Sequence, residues 1–147
     1  YTLSPYVEDV EEIRICADDP KAETRLANGA KGTSYVINEF VAVPSPDAVL
    51  NLHKLQEKSK TIMVFEGADS RNVNQEHVHA SQWYTPLKIS KGLVWDFVLT
   101  EIQPDRHTGT ANYLFADGHV DNFSFETVYG WVQHDIAAGT NFAKPAK

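Results

Sequence analysis

The feature of the sequence that most constrains the fold is a pair of extended runs on either side of Asp117-Gly118. Residues 111–116 (ANYLFA) precede this dipeptide and residues 119–125 (HVDNFSF) follow it. Two such runs joined by Asp-Gly are typical of a β-hairpin, because a type I′ turn requires positive φ at both central residues and glycine accepts it without strain. We therefore predict a hairpin with a type I′ turn at Asp117-Gly118.

Other segments predict further strands. Residues 33–43 (TSYVINEFVAV) are rich in β-branched and aromatic side chains and end at a proline. Residues 60–65 (KTIMVF) form the continuous apolar run of a buried central strand, and we expect these two segments to pair. Residues 93–102 fit a strand or a helix, and we predict a strand that Pro104 ends.

Helices and loops account for the rest of the chain. Apolar residues recur at helical spacing in residues 126–138, so we predict a helix after the hairpin. Asp47 is expected to cap a short helical segment that reaches residue 56. Residues 21–32 predict a loop with room for one helical turn, and residues 68–92 a long surface loop. The 147 residues suit one α+β domain, residues 1–147.

The charge pattern excludes some classes of partner. Thirteen basic and twenty acidic residues give a net charge of −7, and no lysine or arginine cluster stands out. This argues against nucleic acid and against a peripheral grip on anionic lipid. No run approaches the roughly 20 apolar residues that span a bilayer. Because the opening YTLSP lacks an initiator methionine, we expect the chain to be a fragment of a longer protein, and any membrane link to lie in a further segment.

Cys16 is the single cysteine, so an internal disulfide is excluded. It stands among apolar neighbours in residues 13–17 (IRICA). We predict a small packed residue here, not a nucleophile.

One motif supports an assignment to a family. In residues 106–120 (RHTGTANYLFADGHV), His107 is followed by nine residues and then Asp117-Gly118. Residues 13–20 (IRICADDP), 34–38 (SYVIN) and 58–66 (KSKTIMVFE) stand upstream in the matching order. Together they resemble the bacterial prepilin-type, processing-associated family that is named for this spacing of His, nine residues, Asp and Gly. Ala17 departs from the pattern, where the family has proline.

The resemblance implies a specific architecture. Family members carry a cleavable leader and a long apolar N-terminal helix, like type IV pilins and type II secretion pseudopilins. A periplasmic head with an antiparallel β-sheet follows. We therefore expect an α+β pilin-like head whose N-terminal membrane helix lies outside the given sequence and packs against the sheet. It would be anchored to the inner membrane and assemble with pilin-like subunits or secretion machinery, without enzymatic activity or a cofactor.

We assign the motif a structural role. Asp117-Gly118 forms the turn, while His107 and Asn112 are expected to hydrogen-bond backbone groups where the chain enters the hairpin. The residues of this structural set are Arg106, His107, Asn112, Asp117, Gly118 and His119.

Two metal hypotheses compete with this assignment. His77 and His79 would share one strand face and, with His107, could bind the zinc of a metal-dependent hydrolase. Calcium is the alternative, because some pseudopilin heads that this sequence resembles bind it near their C-terminal strands through carboxylates. The candidate ligands for calcium or another metal are Asp117, Asp121, Asp135, His107 and His119.

A third hypothesis is a carbohydrate- or peptide-binding surface. Aromatic rings offer flat apolar platforms to such ligands. Trp83 and Tyr84 stand in the polar segment 68–92 and are the predicted binding residues, whereas Trp95 and Trp131 are expected to pack in the core.

Overall fold

The computed structural model describes residues 10–29, 32–72 and 75–146. The opening residues 1–5, on which we based the expectation of a fragment, lie outside these ranges. Within the described ranges the protein is α+β, with a five-stranded mixed sheet in the order β3-β1-β2-β4-β5. The strands are β1 (Tyr35–Asn38), β2 (Ile62–Glu66), β3 (His77–Val78), β4 (Thr110–Phe115) and β5 (Val120–Ser124). The α-helices of this part of the chain are α1 (Ala22–Ala27), α2 (Glu39–Ala42), α3 (Pro86–Ser90), α4 (Val94–Leu99) and α5 (Phe125–Ala138).

Strands β1 and β2 pair antiparallel, which confirms the predicted pairing of these segments. Tyr35 lies opposite Glu66, and Ile37 opposite Val64. The register between β2 and β4 shifts between Ile62 and Val64. Such a bulge changes the phase of side-chain alternation. Ile62 and Phe65 are therefore both buried, as a continuous apolar run requires.

Strand β1 ends earlier than predicted, since residues 39–42 form helix α2 and not a strand. The cause is Asn38, whose side chain accepts a hydrogen bond from the Phe40 N–H and caps the helix. Its Nδ2 also donates to the carbonyls of Ile62 at 2.8 Å and Ala143 at 2.6 Å. The buried Asn38 amide thus ends one strand and joins two other segments to it.

The prediction of a fully antiparallel sheet is wrong at one edge. Strand β3 pairs parallel to β1, with Ile37 opposite His77. Residues 68–92, predicted as a loop, supply this strand, a 3-10 turn at Ala80–Gln82 and helix α3. Thr85 caps α3 and Pro86 is its first residue. The polar composition of the segment led to the prediction of a loop instead of this helix.

The predicted hairpin is confirmed, because β4 and β5 pair antiparallel from Thr110 opposite Ser124 to Leu114 opposite Val120. The predicted type I′ turn is wrong. Gly118 has φ of 95°, but Asp117 does not have the positive φ that a type I′ turn requires at both central residues. Among the described non-glycine residues, positive φ occurs at Thr108. The Gly118 N–H donates to the Phe115 carbonyl, which fits a type I turn followed by a glycine bulge.

The strand predicted over residues 93–102 is wrong, since Val94–Leu99 form helix α4. Val94, Val98 and Ile102 are buried and four residues apart, which is the spacing of one helix face. The helix predicted over residues 126–138 is confirmed as α5, capped by Ser124. From Asp47 to residue 56 the structure has a 3-10 turn, Leu52–Lys54, capped by Asn51 and not by Asp47.

The core lies between one face of the sheet and helices α4 and α5. Phe65 is central and meets Trp83, Tyr113 and Phe142 edge to face, with ring centroids 6.0 to 6.4 Å apart. Val128 and Val132 of α5 are fully buried in the same cluster. Trp95 and Trp131 pack against it, as predicted for these two residues.

The opposite face of the sheet carries apolar side chains that remain partly open. Side chains alternate along strands, so Ile37, Val64, Leu114 and Val120 point away from the core. The strand registers place these four side by side across β1, β2, β4 and β5, and we call them the apolar row. Ile37 is 43% exposed and Val120 is 58% exposed.

In the part of the chain that the structure describes, no helix has the length and apolar character needed to cross a membrane.

Candidate functional site

Four distant segments meet beside the apolar row, at the end of β2. The antiparallel pairings bring the starts of β1 and β4 beside the end of β2, where Glu66 lies. The turn that follows Cys16 is tied to the start of β1, because the Cys16 N–H donates to Ser34 Oγ at 2.9 Å. The segments that resemble the prepilin-type family therefore converge at one place. We call the cluster the Glu66 network, which comprises Cys16, Asp18, Asp19, Arg25, Glu66, Asp69, Arg106, His107 and Asn112.

Glu66 is the centre of the network and is only 2% exposed. Its Oε1 accepts hydrogen bonds from the Asn112 backbone N–H at 3.2 Å and from the Asn112 side-chain amide at 3.0 Å. His107 Nε2 lies 2.8 Å from the same oxygen. Asn112 and His107 were predicted to bond backbone groups, and the structure corrects this, since both bind the Glu66 carboxylate.

His107 bridges two carboxylates. Its Nδ1 lies 2.6 Å from Asp18 Oδ2, on the side of the ring opposite Glu66. Burial lowers the pKa of His107, but the hydrogen bonds to Asp18 and Glu66 more than offset this, so the pKa is raised. A protonated imidazole can donate from both ring nitrogens. The ring thereby links the segment at residue 18 to the end of β2.

Buried arginines balance the acidic groups. Arg106 donates to the Asp69 carboxylate and to the Gly67 carbonyl, both at 2.5 Å, and its Nε lies 3.7 Å from Glu66 Oε2. Arg25 donates to Asp19 Oδ2 at 2.5 Å. Burial raises the pKa of Asp19, but hydrogen bonds from Ser34, Lys21 and Arg25 outweigh burial and lower it. The network thus places buried arginines, Arg25 and Arg106, beside the buried carboxylates of Asp19 and Glu66.

Cys16 is buried, which confirms the prediction of a packed residue. Its Sγ lies 3.7 Å from His107 Nε2. Burial raises the pKa of the thiol, so it lacks the thiolate character of a nucleophile.

The predicted aromatic platform is wrong. Trp83 is 1% exposed and donates from Nε1 to Glu101 Oε2 at 2.8 Å. Tyr84 is half-buried, and its hydroxyl donates to Asp135 Oδ2 at 3.1 Å. A flat surface contact requires exposed rings, so these two residues serve the core.

The structure does not bring His77, His79 and His107 into one ligand group. The rings of His77 and His79 are neighbours at β3, 5.0 Å apart, and His79 Nδ1 lies 2.7 Å from Glu101 Oε1. His107 belongs to the Glu66 network instead. In the described ranges, the group of three His, Cys, Asp or Glu residues with converging ligand atoms is Cys16, Glu66 and His107.

The calcium candidates do not form one group of converging ligand atoms in the described ranges either. Asp117 and Asp121 flank His119, at 2.5 Å from Nδ1 and 3.4 Å from Nε2. The His119 ring stacks on Phe115, with centroids 4.4 Å apart. The buried Asp135 accepts hydrogen bonds from Tyr84, Thr140 and the Phe142 N–H. Its oxygens are therefore occupied by donors.

Sequence reasoning missed Cys16, Glu66 and Asp18 as partners of His107. The sequence did contain one indication of this site: Glu66 is an acidic residue at the end of an otherwise apolar strand, where water is excluded from the carboxylate. Such a group requires a partner, and Arg106-His107 is the basic pair that enters the neighbouring strand.

Comparison with protein-family models, with curated proteins and with solved structures gave no match.

Proposed function

We propose that this chain is the head of a pilin-like protein, and that it serves as a structural or assembly subunit of a pilus-like or type II secretion apparatus. The proposed head lies in the periplasm or at the cell surface and is held to the inner membrane by an N-terminal helix. Its partners are other pilin-like subunits or the secretion machinery, and its role is assembly, not catalysis.

The observation that carries the proposal is the apolar row. Four side chains on four adjacent strands offer a helix a continuous apolar strip, while helices α4 and α5 cover the other face. Val10 and Ile13, in the described segment that leads toward the N-terminus, are also exposed and apolar. A preceding amphipathic helix laid on this strip would bury both sets.

The Glu66 network supports the same role. It joins residues 16–18 to β1 through the hydrogen bond of Cys16 to Ser34, and to β2 through His107, which contacts both Asp18 and Glu66. Asn112 of β4 binds the same Glu66 carboxylate. An anchored head needs such a junction between anchor and sheet. Three of the four segments of the family resemblance contribute residues to it, and Ser34 of the fourth accepts a hydrogen bond from the Cys16 N–H.

The coding sequence upstream of Tyr1 tests the proposal first. We expect a short basic leader, a cleavage site with glycine before an aromatic residue, and about 20 apolar residues with one glutamate near their start. An upstream sequence that encodes a soluble domain without leader or apolar helix would refute the pilin-like origin.

Disulfide cross-linking then tests the docking face. In a Cys16→Ser background of the whole protein, Val120→Cys is combined with single cysteines along the upstream helix. We expect cross-links at helical spacing. The matched control is Tyr129→Cys, also exposed but on α5, which covers the other face. Equal cross-linking from both positions would contradict the docking.

A pocket at the other face favours a second candidate function. It has a volume of about 350 Å³ and is lined by Phe115, Phe123, Trp131 and Phe142, with Lys60 and Asp121 among its polar residues. Aromatic faces with polar neighbours suit a sugar ring or a peptide side chain. A glycan-array signal that Trp131→Ala removes and Trp95→Ala preserves would support ligand binding, and an array without signal would oppose sugar binding.

A further inference from the structure

Three potential metal ligands converge in the Glu66 network. Cys16 Sγ, His107 Nε2 and a Glu66 carboxylate oxygen all lie within 4.8 Å of one another. Sγ is 3.7 Å and Oε1 is 2.8 Å from Nε2. They come from three distant parts of the chain, so the fold itself creates the cluster.

The donor set identifies the class of metal. Thiolate, imidazole and carboxylate are the ligands that zinc takes, whereas calcium and magnesium take oxygen alone. A tetrahedral ion with bond lengths of about 2.3 Å to sulfur and about 2.0 Å to nitrogen separates S and N by about 3.5 Å. The observed Sγ to Nε2 distance of 3.7 Å agrees with this.

Two further observations point to a ligand at this place. His107 Nδ1 lies 2.6 Å from Asp18 Oδ2, the carboxylate contact that fixes the ring of metal-binding histidines. Glu66 Oε2 is buried and makes no hydrogen bond within the described structure. Arg106 Nε is 3.7 Å from that oxygen, and Asp69 balances its charge at 2.5 Å. Glu66 Oε2 therefore has no hydrogen bond to lose on coordination, only the 3.7 Å ion pair with Arg106.

We propose that Cys16, Glu66 and His107 bind one Zn²⁺ ion, with Asp18 as the residue that orients His107. Water on the partly exposed side of His107 completes the tetrahedron. The ion takes the place of the protons on the thiol and on Nε2. It ties residue 16 to the end of β2 and the start of β4, whatever larger assembly the chain belongs to.

Cobalt is the direct probe, because Co²⁺ adopts the zinc geometry and absorbs light. Co²⁺ titrated into the reduced wild-type protein is expected to give a thiolate-to-metal charge-transfer band and the intense visible bands of a four-coordinate ion, saturating at one ion per chain. Zn²⁺ should displace it and raise the melting temperature. Absence of a thiolate band, or absence of saturable binding, overturns the proposal on the wild type alone.

Variants locate the site. Cys16→Ser is expected to abolish the charge-transfer band. Asp18→Ala, at a side chain 59% exposed, should weaken Zn²⁺ binding by about 10- to 100-fold with the fold intact by circular dichroism. The matched control is Asp117→Ala, which removes an exposed aspartate from another histidine, His119, and should leave affinity unchanged. Affinity lost in a His77→Ala, His79→Ala double variant but kept in Cys16→Ser would place the metal at β3 and refute the proposal.

Discussion

At the scale of the residue, two histidines in the described part of the chain each lie between two carboxylates. His107 bridges Asp18 and the buried Glu66, while His119 bridges Asp117 and Asp121 near the hairpin turn. The chemistry is the same and the surroundings differ. The difference between their contributions to the free energy of unfolding therefore measures how burial changes the strength of a charged pair.

Replacement of His107 should be the costlier of the two. His107→Ala leaves Glu66 with the Asn112 hydrogen bonds and the ion pair with Arg106, and a buried acceptor that loses a partner costs about 1 to 3 kcal/mol. His119→Ala should lower the free energy of unfolding by less, because water solvates its partners. Urea denaturation in metal-free buffer gives both values. Equal losses would show that the Glu66 network does not stabilise the fold.

The pair of His119 and Asp117 predicts a pH window. Their mutual hydrogen bond raises the pKa of His119 above its ordinary 6.5 and lowers the pKa of Asp117 below its ordinary 3.8. The stability from His119 is complete below pH 6.5 and is lost as pH rises through its raised pKa. The stability from Asp117 is complete above pH 3.8 and is lost as pH falls through its lowered pKa.

We therefore expect the wild type to melt at a higher temperature than His119→Gln. This difference should be largest between pH 3.8 and pH 6.5, the ordinary pKa values of the two groups, and should become smaller above and below that range. Asp121→Asn should narrow the window less than Asp117→Asn, because the Asp121 oxygen lies farther from the ring. A difference that is constant with pH would contradict the ion pair.

At the scale of the element, the hairpin turn and helix α5 offer opposite glycine effects. Gly118 has φ of 95°, in the region that L-residues avoid. Gly130 lies inside α5, and a Cβ built there meets no atom within 4 Å. One glycine is required by its conformation and the other is not.

Gly118→Val should lower stability by about 1 kcal/mol or more, since a β-branched residue is strained at positive φ, and Gly118→Asn should be milder. Thermal unfolding followed by circular dichroism measures both. Small and equal shifts would show that the turn tolerates any residue.

Gly130→Ala should raise stability by about 0.5 to 1 kcal/mol, because alanine is the better helix former and has room. The same unfolding assay applies. A loss of stability would contradict the space that the structure shows at Gly130.

Elements with a strong local pattern could be predicted from the sequence, and those decided by a single side chain could not. The hairpin, β2 and α5 were predicted because periodicity and turn residues agree. Residues 93–102 were misassigned because Leu, Val and Phe fit both periods, and only the core shows that Val94 and Val98 share a face. In the Glu66 network, the motif points to Arg106, His107 and Asn112. It does not point to Cys16 and Asp18, because these lie about 90 residues from His107 in the sequence and meet it only in the folded chain.

At the scale of the whole molecule, the C-terminal segment closes the core. Phe142 packs against Phe65, Trp83 and Trp131, and the Ala143 carbonyl accepts from Asn38. The sheet therefore depends on residues far beyond its last strand.

A chain that ends at Thr140 should lose about 3 kcal/mol or more, the cost of removing a buried aromatic ring. A chain that ends at Pro145 retains Phe142 and Ala143 and should unfold like the wild type. Equilibrium unfolding in urea compares them. Similar midpoints for the two truncations would show that the C-terminal contacts are dispensable.

The hydrogen bond between Asn38 and Ala143 also sets the earliest point in synthesis at which folding can be completed. It joins residues 105 positions apart, and the contact of Cys16 with His107 spans 91. Contacts of such separation form slowly, because the intervening chain must first be brought together. On the ribosome, β1 and β2 emerge long before the partners that complete their core. The core therefore cannot be completed before residue 143 has emerged.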